Sequence, residues 1–416
     1  MVQAFSGQVE AFKSEALECI TFHYVHSIED FENDRVTFKP QFAHQIFGED
    51  ETIFGYKDLA IDMYYTAGTL KCFIRVNYSG RIEESIEAKV DDDPQESLKK
   101  NFTNGIISSE FDFLKELKKD EAFKPHGMLL TQYSRYDDHK EKCFCLFKSD
   151  STTPGFLSYH KDMQTFLTWF IDGSSFIEDD DPEWKFYTIY DKFSLNGNTR
   201  YAFVGYCTVY LFYCYPDLKR ARVSQFLILP PYLRKGHGSQ LLRMIYDDLK
   251  TMNEVQDITV EDPSEDFVSM RDSVDCQYIV QNFPAIMESP GKMKPLSKQL
   301  ILQCQTATKI NKKQFKHVYS ILEFYFLNGK EKKAMQKYRK SLRDRIRKSL
   351  EQPKTKLSAL QLKEEAAADY DENMDTDAAQ RPSVLSGEYL ETQVEEMYDR
   401  QLTHIMQVST KLSSVL

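Results

Sequence analysis

The sequence lacks several features that would settle its class at once. Its longest apolar run, residues 201–215, is shorter than the ~20 residues a membrane helix needs and is interrupted by Gly205 and Thr208. Glycine and proline are sparse, at 16 and 14 of 416 residues, while hydrophobic residues make up 41%, which excludes a low-complexity or disordered chain. Eight cysteines (Cys19, Cys72, Cys143, Cys145, Cys207, Cys214, Cys276 and Cys304) contain no C-x-x-C pair and no regular framework. They read as reduced core residues, and no metal is expected. Basic charge is not in excess: 53 Lys+Arg against 64 Asp+Glu give a net charge of −11. That balance argues against direct nucleic-acid binding and suits a basic polypeptide partner. The opening MVQAFSGQVEAFK has no basic region followed by an apolar stretch, so an intracellular protein without membrane attachment is expected.

What is present predicts several domains. In IDMYYTAGTLKCFIRVNYSG, two strand-like runs flank Ala67-Gly68 as in a hairpin. An acidic stretch at 90–94 precedes SSEFDFLKELKKD, a helix whose face carries Phe111, Phe113, Leu114 and Leu117, with a boundary near Lys124. The runs MLLTQYS, CFCLFKS, KFYTIYDKF and YAFVGYCTVYLFY, with one helical segment, HKDMQTFLTWFID, predict a middle domain of mainly antiparallel strands. After Val260 the pattern is helical, turning basic at 330–356 and acidic at 364–377, as in a charged, partly flexible tail. The predicted domains are 1–123, 124–262, 263–328 and a tail 329–416.

The chemically informative segment is RVSQFLILPPYLRKGHGSQLL, residues 222–242, a strand that runs into a glycine-bearing loop opening a helix. Leu241, Leu242, Ile245 and Leu249 recur at helical spacing, so the first-turn amides point back at Gly236 and Gly238. Unpaired amides, the positive end of the helix dipole, and Arg234 and Lys235 together favour an anion such as a pyrophosphate. The spacing is neither that of a P-loop nor that of a three-glycine dinucleotide fingerprint. His237, between two glycines, reads as a position where only backbone geometry counts. No serine–histidine–acid or Cys/His arrangement points to a covalent acyl-enzyme, so direct attack on a thioester is the simpler mechanism.

Leu233-Arg-Lys-Gly236-His-Gly238 resembles the acetyl-CoA loop of the GNAT superfamily, [QR]-x-x-G-x-[GA], except that Leu233 occupies the first position. GYKDLAIDMYYTAGTL, FLTWFI, SFIEDDDPEW, VGYCTVYLFYCYPD, RVSQFLIL, GHGSQLL and DITVEDPSEDFVSMRD are similar, in this order, to segments of type B histone acetyltransferase catalytic subunits, across residues 28–325. The resemblance implies an α+β protein: a GNAT acetyltransferase fold with an N-terminal α+β domain and a helical C-terminal region. It also implies acetyl-CoA as co-substrate. Phe226, Leu227 and Ile228 would pair with the pantetheine arm as an added strand, and Leu233, Arg234, Lys235, Gly236, His237, Gly238 and Ser239 would wrap the pyrophosphate, with Ser264 a further contact. Glu261, Asp262 and Asp172, the last standing where the family carries Glu, would be the catalytic carboxylates.

A base is needed because lysine, with a reference pKa of about 10.4, is disfavoured as a neutral nucleophile at pH 7 by roughly 4.6 kcal/mol. Glu261 is the first choice, as a carboxylate among apolar neighbours. Alternation places it on one strand face with Asp257 and Thr259, while Asp262-Pro-Ser-Glu265 also reads as a capping box with Pro263 at the first helical position. Glu49, Asp50 and Glu51, with Trp184, Tyr210, Leu211 and Phe212, the last in place of a family Tyr, would line the histone-tail groove. Residues 178–181 offer a second acidic cluster. By the same resemblance the substrate is the tail of free histone four before chromatin assembly, the partner a WD-repeat β-propeller histone chaperone, and the location cytoplasm and nucleus. Two alternatives stand beside this: a GNAT enzyme for another amine, and a non-enzymatic histone-binding scaffold.

Overall fold

The computed structural model describes residues 10–82, 93–137, 140–178, 180–289, 291–327, 332–351 and 387–412. Most of the acidic stretch at 90–94, Asp179, the ends of the basic block at 330–356 and the whole acidic block at 364–377 lie outside them. The described chain is α+β and divides into two compact units, 1–263 and 264–416. No described helix is long and apolar enough to cross a membrane.

The first unit begins with a small sheet: β1 (Ile20–Val25), β2 (Thr37–Phe38), β3 (Ala60–Thr66) and β4 (Cys72–Asn77), in the order β2-β1-β3-β4. The expected hairpin is β3 and β4, paired antiparallel from Ala60↔Asn77 to Tyr65↔Cys72. Helix α1 (Glu110–Asp120), capped by Ser109, covers this sheet with Phe113 and Leu117, which pack on Val25, Tyr64 and Phe73. Phe111 does not join that face. It is 68% exposed, two residues before Phe113 and so roughly 160° around the helix from it, with the Lys115 ammonium over its ring. The buried carboxylate of Asp120 accepts the amides of Gly68 and Thr69, which fixes the hairpin turn.

Six strands form the main sheet: β5 (Met128–Asp137), β6 (Lys140–Ser149), β7 (Trp184–Leu195), β8 (Asn198–Cys214), β9 (Leu218–Ile228) and β10 (Val255–Val260). They lie in sequence order, antiparallel except for the last pair, β9 and β10. A parallel pair needs a crossover, supplied by helix α3 (His237–Thr251), which follows α2 (Phe156–Gln164) in the chain. Leu241, Leu242, Ile245, Tyr246 and Leu249 of α3 are fully buried, so the periodic stripe read in the sequence is the packing face. The apolar run 201–215 is mostly β8, buried from Ala202 to Val209. The small sheet is stitched to this one: Tyr24 donates its hydroxyl to the Ala67 and Phe203 carbonyls, and the Phe203 amide donates to Ala67.

The second unit is helical: α4 (Glu265–Asn282), α5 (Lys298–Thr308), α6 (Lys312–Leu327), α7 (Lys332–Glu351) and α8 (Gly387–Leu412). The described parts of the expected tail are packed elements. Tyr338, Leu342 and Ile346 of α7 and Val394, Tyr398, Ile405 and Val408 of α8 are buried, and Arg343 and Arg347 pair with Glu395 and Glu391. The basic character of α7 is thus partly a helix face matched by acids of its neighbour.

Candidate active site

Strand β9 outruns β10. Their parallel register ends at Val223↔Val260, closed by the Glu261 amide donating to the Val223 carbonyl, whereas β9 continues to Ile228. The sheet therefore opens between the two strands along residues 224–228. A bulge marks the opening, since between Val223 and Phe226 two β9 residues face the single β8 residue Thr208, whose hydroxyl accepts the Gln225 amide. Across β8, Gly205 is required by close approach: a Cβ there would stand 2.2 Å from the Leu227 carbonyl oxygen.

Beyond Ile228 the chain turns through Pro230–Tyr232 into α3. Gly236 caps that helix with φ of 85° and no side chain fills the cap, so the first-turn amides face the loop. A Cβ on Gly236 would lie 3.4 Å from the guanidinium of Arg135, a cation from β5 that sequence spacing gave no reason to place here. Lys235 is tied to Asp137, which also takes Lys142; these hydrogen bonds hold the Asp137 carboxyl down at about 2. The loop thus combines helix-end amides with a cationic rim.

His237 is not a backbone-only position. It is the first residue of α3, 2% exposed, with Nδ1 2.7 Å from the Tyr133 hydroxyl and its ring 4.3 Å from that of Phe144. Burial, reinforced by Arg135 and Lys235, pushes its pKa down to about 4, so it is neutral and packs α3 onto β5 and β6.

Glu261 lies just past the end of β10 with an exposed side chain, so the expected apolar surroundings are absent. Its Oε2 instead accepts the hydroxyl of Ser224 at 2.8 Å, from the bulge at the opening. Asp257 is not on a solvent face either: it is 4% exposed and takes both Nε and Nη2 of Arg220, at 2.6 and 2.9 Å. Asp262 does not cap α4. It has φ of 28°, an unusual backbone for aspartate, and the cap is Ser264, whose hydroxyl accepts the Phe267 amide, so the first helical residue is Glu265 and not Pro263.

Asp172 follows the short helix Leu167–Phe170 and is exposed. His44 stands 3.4 Å from it through Nε2 and 3.6 Å from Glu51 through Nδ1, joining a candidate catalytic acid to a candidate groove acid. Glu51 also accepts the Ala43 and His44 amides, while Glu49 and Asp50 point to solvent. The segment after Asp172 is anchored on both sides: Gln45 donates to the Ser174 carbonyl, and Gln225 of the bulge donates to that of Ser175. Asp172, the acidic turn and the opened edge of β9 are therefore neighbours. Ser224, His44 and Arg135 were missed in the sequence because each acts through a partner distant in the chain.

The remaining groove residues form a ladder across three strands. Trp184 is directly paired with Tyr210, and Tyr210 with Arg222. The Trp184 and Tyr210 rings are 4.8 Å apart, those of Tyr210 and Phe212 4.5 Å, and the Arg222 guanidinium covers Phe212 at 4.4 Å. Tyr210 donates its hydroxyl to Asp181, of the second acidic cluster. Leu211 points the other way and is buried. Thr259 of β10 pairs with Arg222, which puts it in the same row, and Glu261 lies two residues beyond. Cys207 is fully buried and its thiol is pushed well up by burial, which removes it as a nucleophile.

Residues 12–172 match the family model described as the N-terminus of histone acetyl transferase HAT1. The chain is 37% identical over 345 residues to a human histone acetyltransferase type B catalytic subunit, covering 82% of each chain. It is 32% identical over 337 residues to the Mycosarcoma maydis protein of that name, covering 74% of this chain and 75% of the relative. A Dictyostelium discoideum relative of the same description is 36% identical over 263 residues, 62% of this chain and 55% of that one.

Proposed function

The chain belongs to the type B histone acetyltransferase catalytic subunits, and from that membership we propose that it acetylates lysines on the tail of free histone four before chromatin assembly. It is an acetyltransferase with acetyl-CoA as co-substrate. The observation that carries the site assignment is the opening between β9 and β10, which leads straight into a glycine-capped helix end. Residues 226–228 form the edge along which the pantetheine arm runs. Leu233, Arg234, Lys235, Gly236, His237, Gly238 and Ser239 lie around the pyrophosphate, where the chain offers backbone amides and positive charge, and Arg135 adds to the cationic rim. Acetyl-CoA supplies the activated acyl group.

Glu261 accepts the lysine proton, directly or through a water, with Ser224 fixing the carboxylate at the mouth of the opening. Its exposure suits a base that hands the proton on to solvent. Asp172 and Glu51, linked by His44, add negative potential that draws in a basic tail. The Trp184–Tyr210–Phe212 ladder receives the aliphatic part of the lysine stem and its neighbours. Ser264 is engaged as the cap of α4, and Asp262 shapes the turn after Glu261. A WD-repeat β-propeller histone chaperone is the partner, and the enzyme works in cytoplasm and nucleus.

The test is acetyl transfer from labelled acetyl-CoA to free histone-four tail peptide, with nucleosomes and unrelated amines as competing acceptors. Selective turnover of the free tail, falling at least ~10-fold in Glu261→Gln, supports the reading. Turnover on another amine in its place overturns the substrate, and an unchanged Glu261→Gln rate overturns the base.

A further inference from the structure

We propose that the helical second unit carries a binding site for a divalent cation of the zinc class, formed by Asp272, His317 and His404. The three residues come from α4, α6 and α8, which are far apart in the sequence. Nε2 of His317 and Nε2 of His404 each lie 2.7 Å from the same oxygen, Oδ2 of Asp272. The two imidazoles stand side by side, 6.0 Å between centroids and 24° between planes, and all three donor atoms lie within 4.8 Å of one another.

The environment is that of a binding site with a buried anchor. Asp272 is 1% exposed, while the His317 and His404 side chains are 39% and 25% exposed, so a cation can enter from the histidine side and keep a water as a further ligand. Gln314 orients the carboxylate, donating to Asp272 Oδ1 and to Asp275 Oδ2, which turns Oδ2 toward the histidines. Two imidazole nitrogens and one carboxylate oxygen suit Zn²⁺, Co²⁺ or Ni²⁺ and not Mg²⁺ or Ca²⁺, which favour all-oxygen shells. Bonds of 2.0–2.2 Å in tetrahedral geometry hold donors roughly 3.3 Å apart, so each of the two histidine–carboxylate pairs must widen by about 0.6 Å, within reach of partly exposed rings. Without metal, both Nε2–H groups donate to Asp272. The cation takes the place of those two protons, which move to Nδ1 as the rings change tautomer. Bound, it would pin α8 to α4 and α6.

The full chain, stripped with a chelator and dialysed, is titrated with zinc by calorimetry, with magnesium as control, alongside His317→Gln and His404→Gln, which retain an amide donor for Asp272. The expected result is one zinc per chain with a Kd below ~10 µM, no magnesium binding and at least ~10-fold weaker zinc binding in each variant, with a zinc-dependent rise in melting temperature in the parent alone. Cobalt on the parent chain gives a visible spectrum without the intense sulfur-to-metal bands of cysteine ligands, a readout independent of variant folding. No zinc binding at that level, undiminished binding in both folded variants, or sulfur-to-metal bands would overturn the site.

Discussion

Ser224 offers the sharpest prediction about catalysis, because it touches the reaction only through Glu261. Its hydroxyl donates to the carboxylate at 2.8 Å, and both side chains are open to solvent. A hydrogen bond to a charged group is worth ~1.5–3 kcal/mol when sheltered, and competition from water brings this one to about 1 kcal/mol. At about 1.36 kcal/mol per decade, Ser224→Ala should lower kcat about fivefold, with KM for acetyl-CoA unchanged. Glu261→Gln should cost ~100-fold, the lower end of what general bases contribute. If the serine works by positioning the base, removing it from a protein that has already lost the base costs nothing further. The double variant should then match Glu261→Gln within about twofold. Steady-state acetyl transfer to histone-four tail peptide, with kcat and both KM values for all four proteins, measures this. A fivefold loss that persists on the Glu261→Gln background, or one that appears in the acetyl-CoA KM, refutes the positioning role.

Gly205→Ala should destabilise the first unit by about 3 kcal/mol, because its Cβ would meet backbone atoms of Leu227 and Ile228 that cannot move aside without parting β8 from β9. Gly80→Ala, whose Cβ would meet nothing nearer than Lys57 Cβ at 3.9 Å on a backbone that other residues adopt freely, should lose less than about 0.5 kcal/mol; chemical denaturation compares the two. Trp184→Ala should raise the KM for the histone-tail peptide roughly tenfold and leave that for acetyl-CoA alone, since its ring packs edge-on against Tyr210 away from the helix-end loop. His237, with a folded pKa near 4 against 6.5 when unexposed to the fold, binds more protons in the unfolded chain. Its contribution to stability is therefore complete above about pH 6.5 and lost as pH falls toward 4. Thermal melts should show a steeper loss over that window in the parent than in His237→Gln.

Local pattern carried much of this in the sequence. The α3 stripe, the β3–β4 hairpin, the buried run of β8 and the glycine-bearing loop each depend on neighbours within a few residues, where periodicity and backbone freedom decide the outcome. The failures share a cause. Asp262-Pro-Ser-Glu265 is a capping pattern, yet the helix starts two residues later at a better-placed serine. Phe111 is apolar but lies off the face that the sheet covers.

By itself the sequence determined the α+β class, the strand–loop–helix that can cradle an anion, and the family, because these are written in contiguous segments. Only the tertiary structure decided that β9 opens from β10 at a bulge, that Ser224 holds Glu261, that His44 links Glu51 to Asp172, and that His237 is buried. Each depends on a partner between 17 and 128 residues away in the chain, met across strands and helices. Hydrogen bonds and burial of that kind are set by packing, and no local spacing records them.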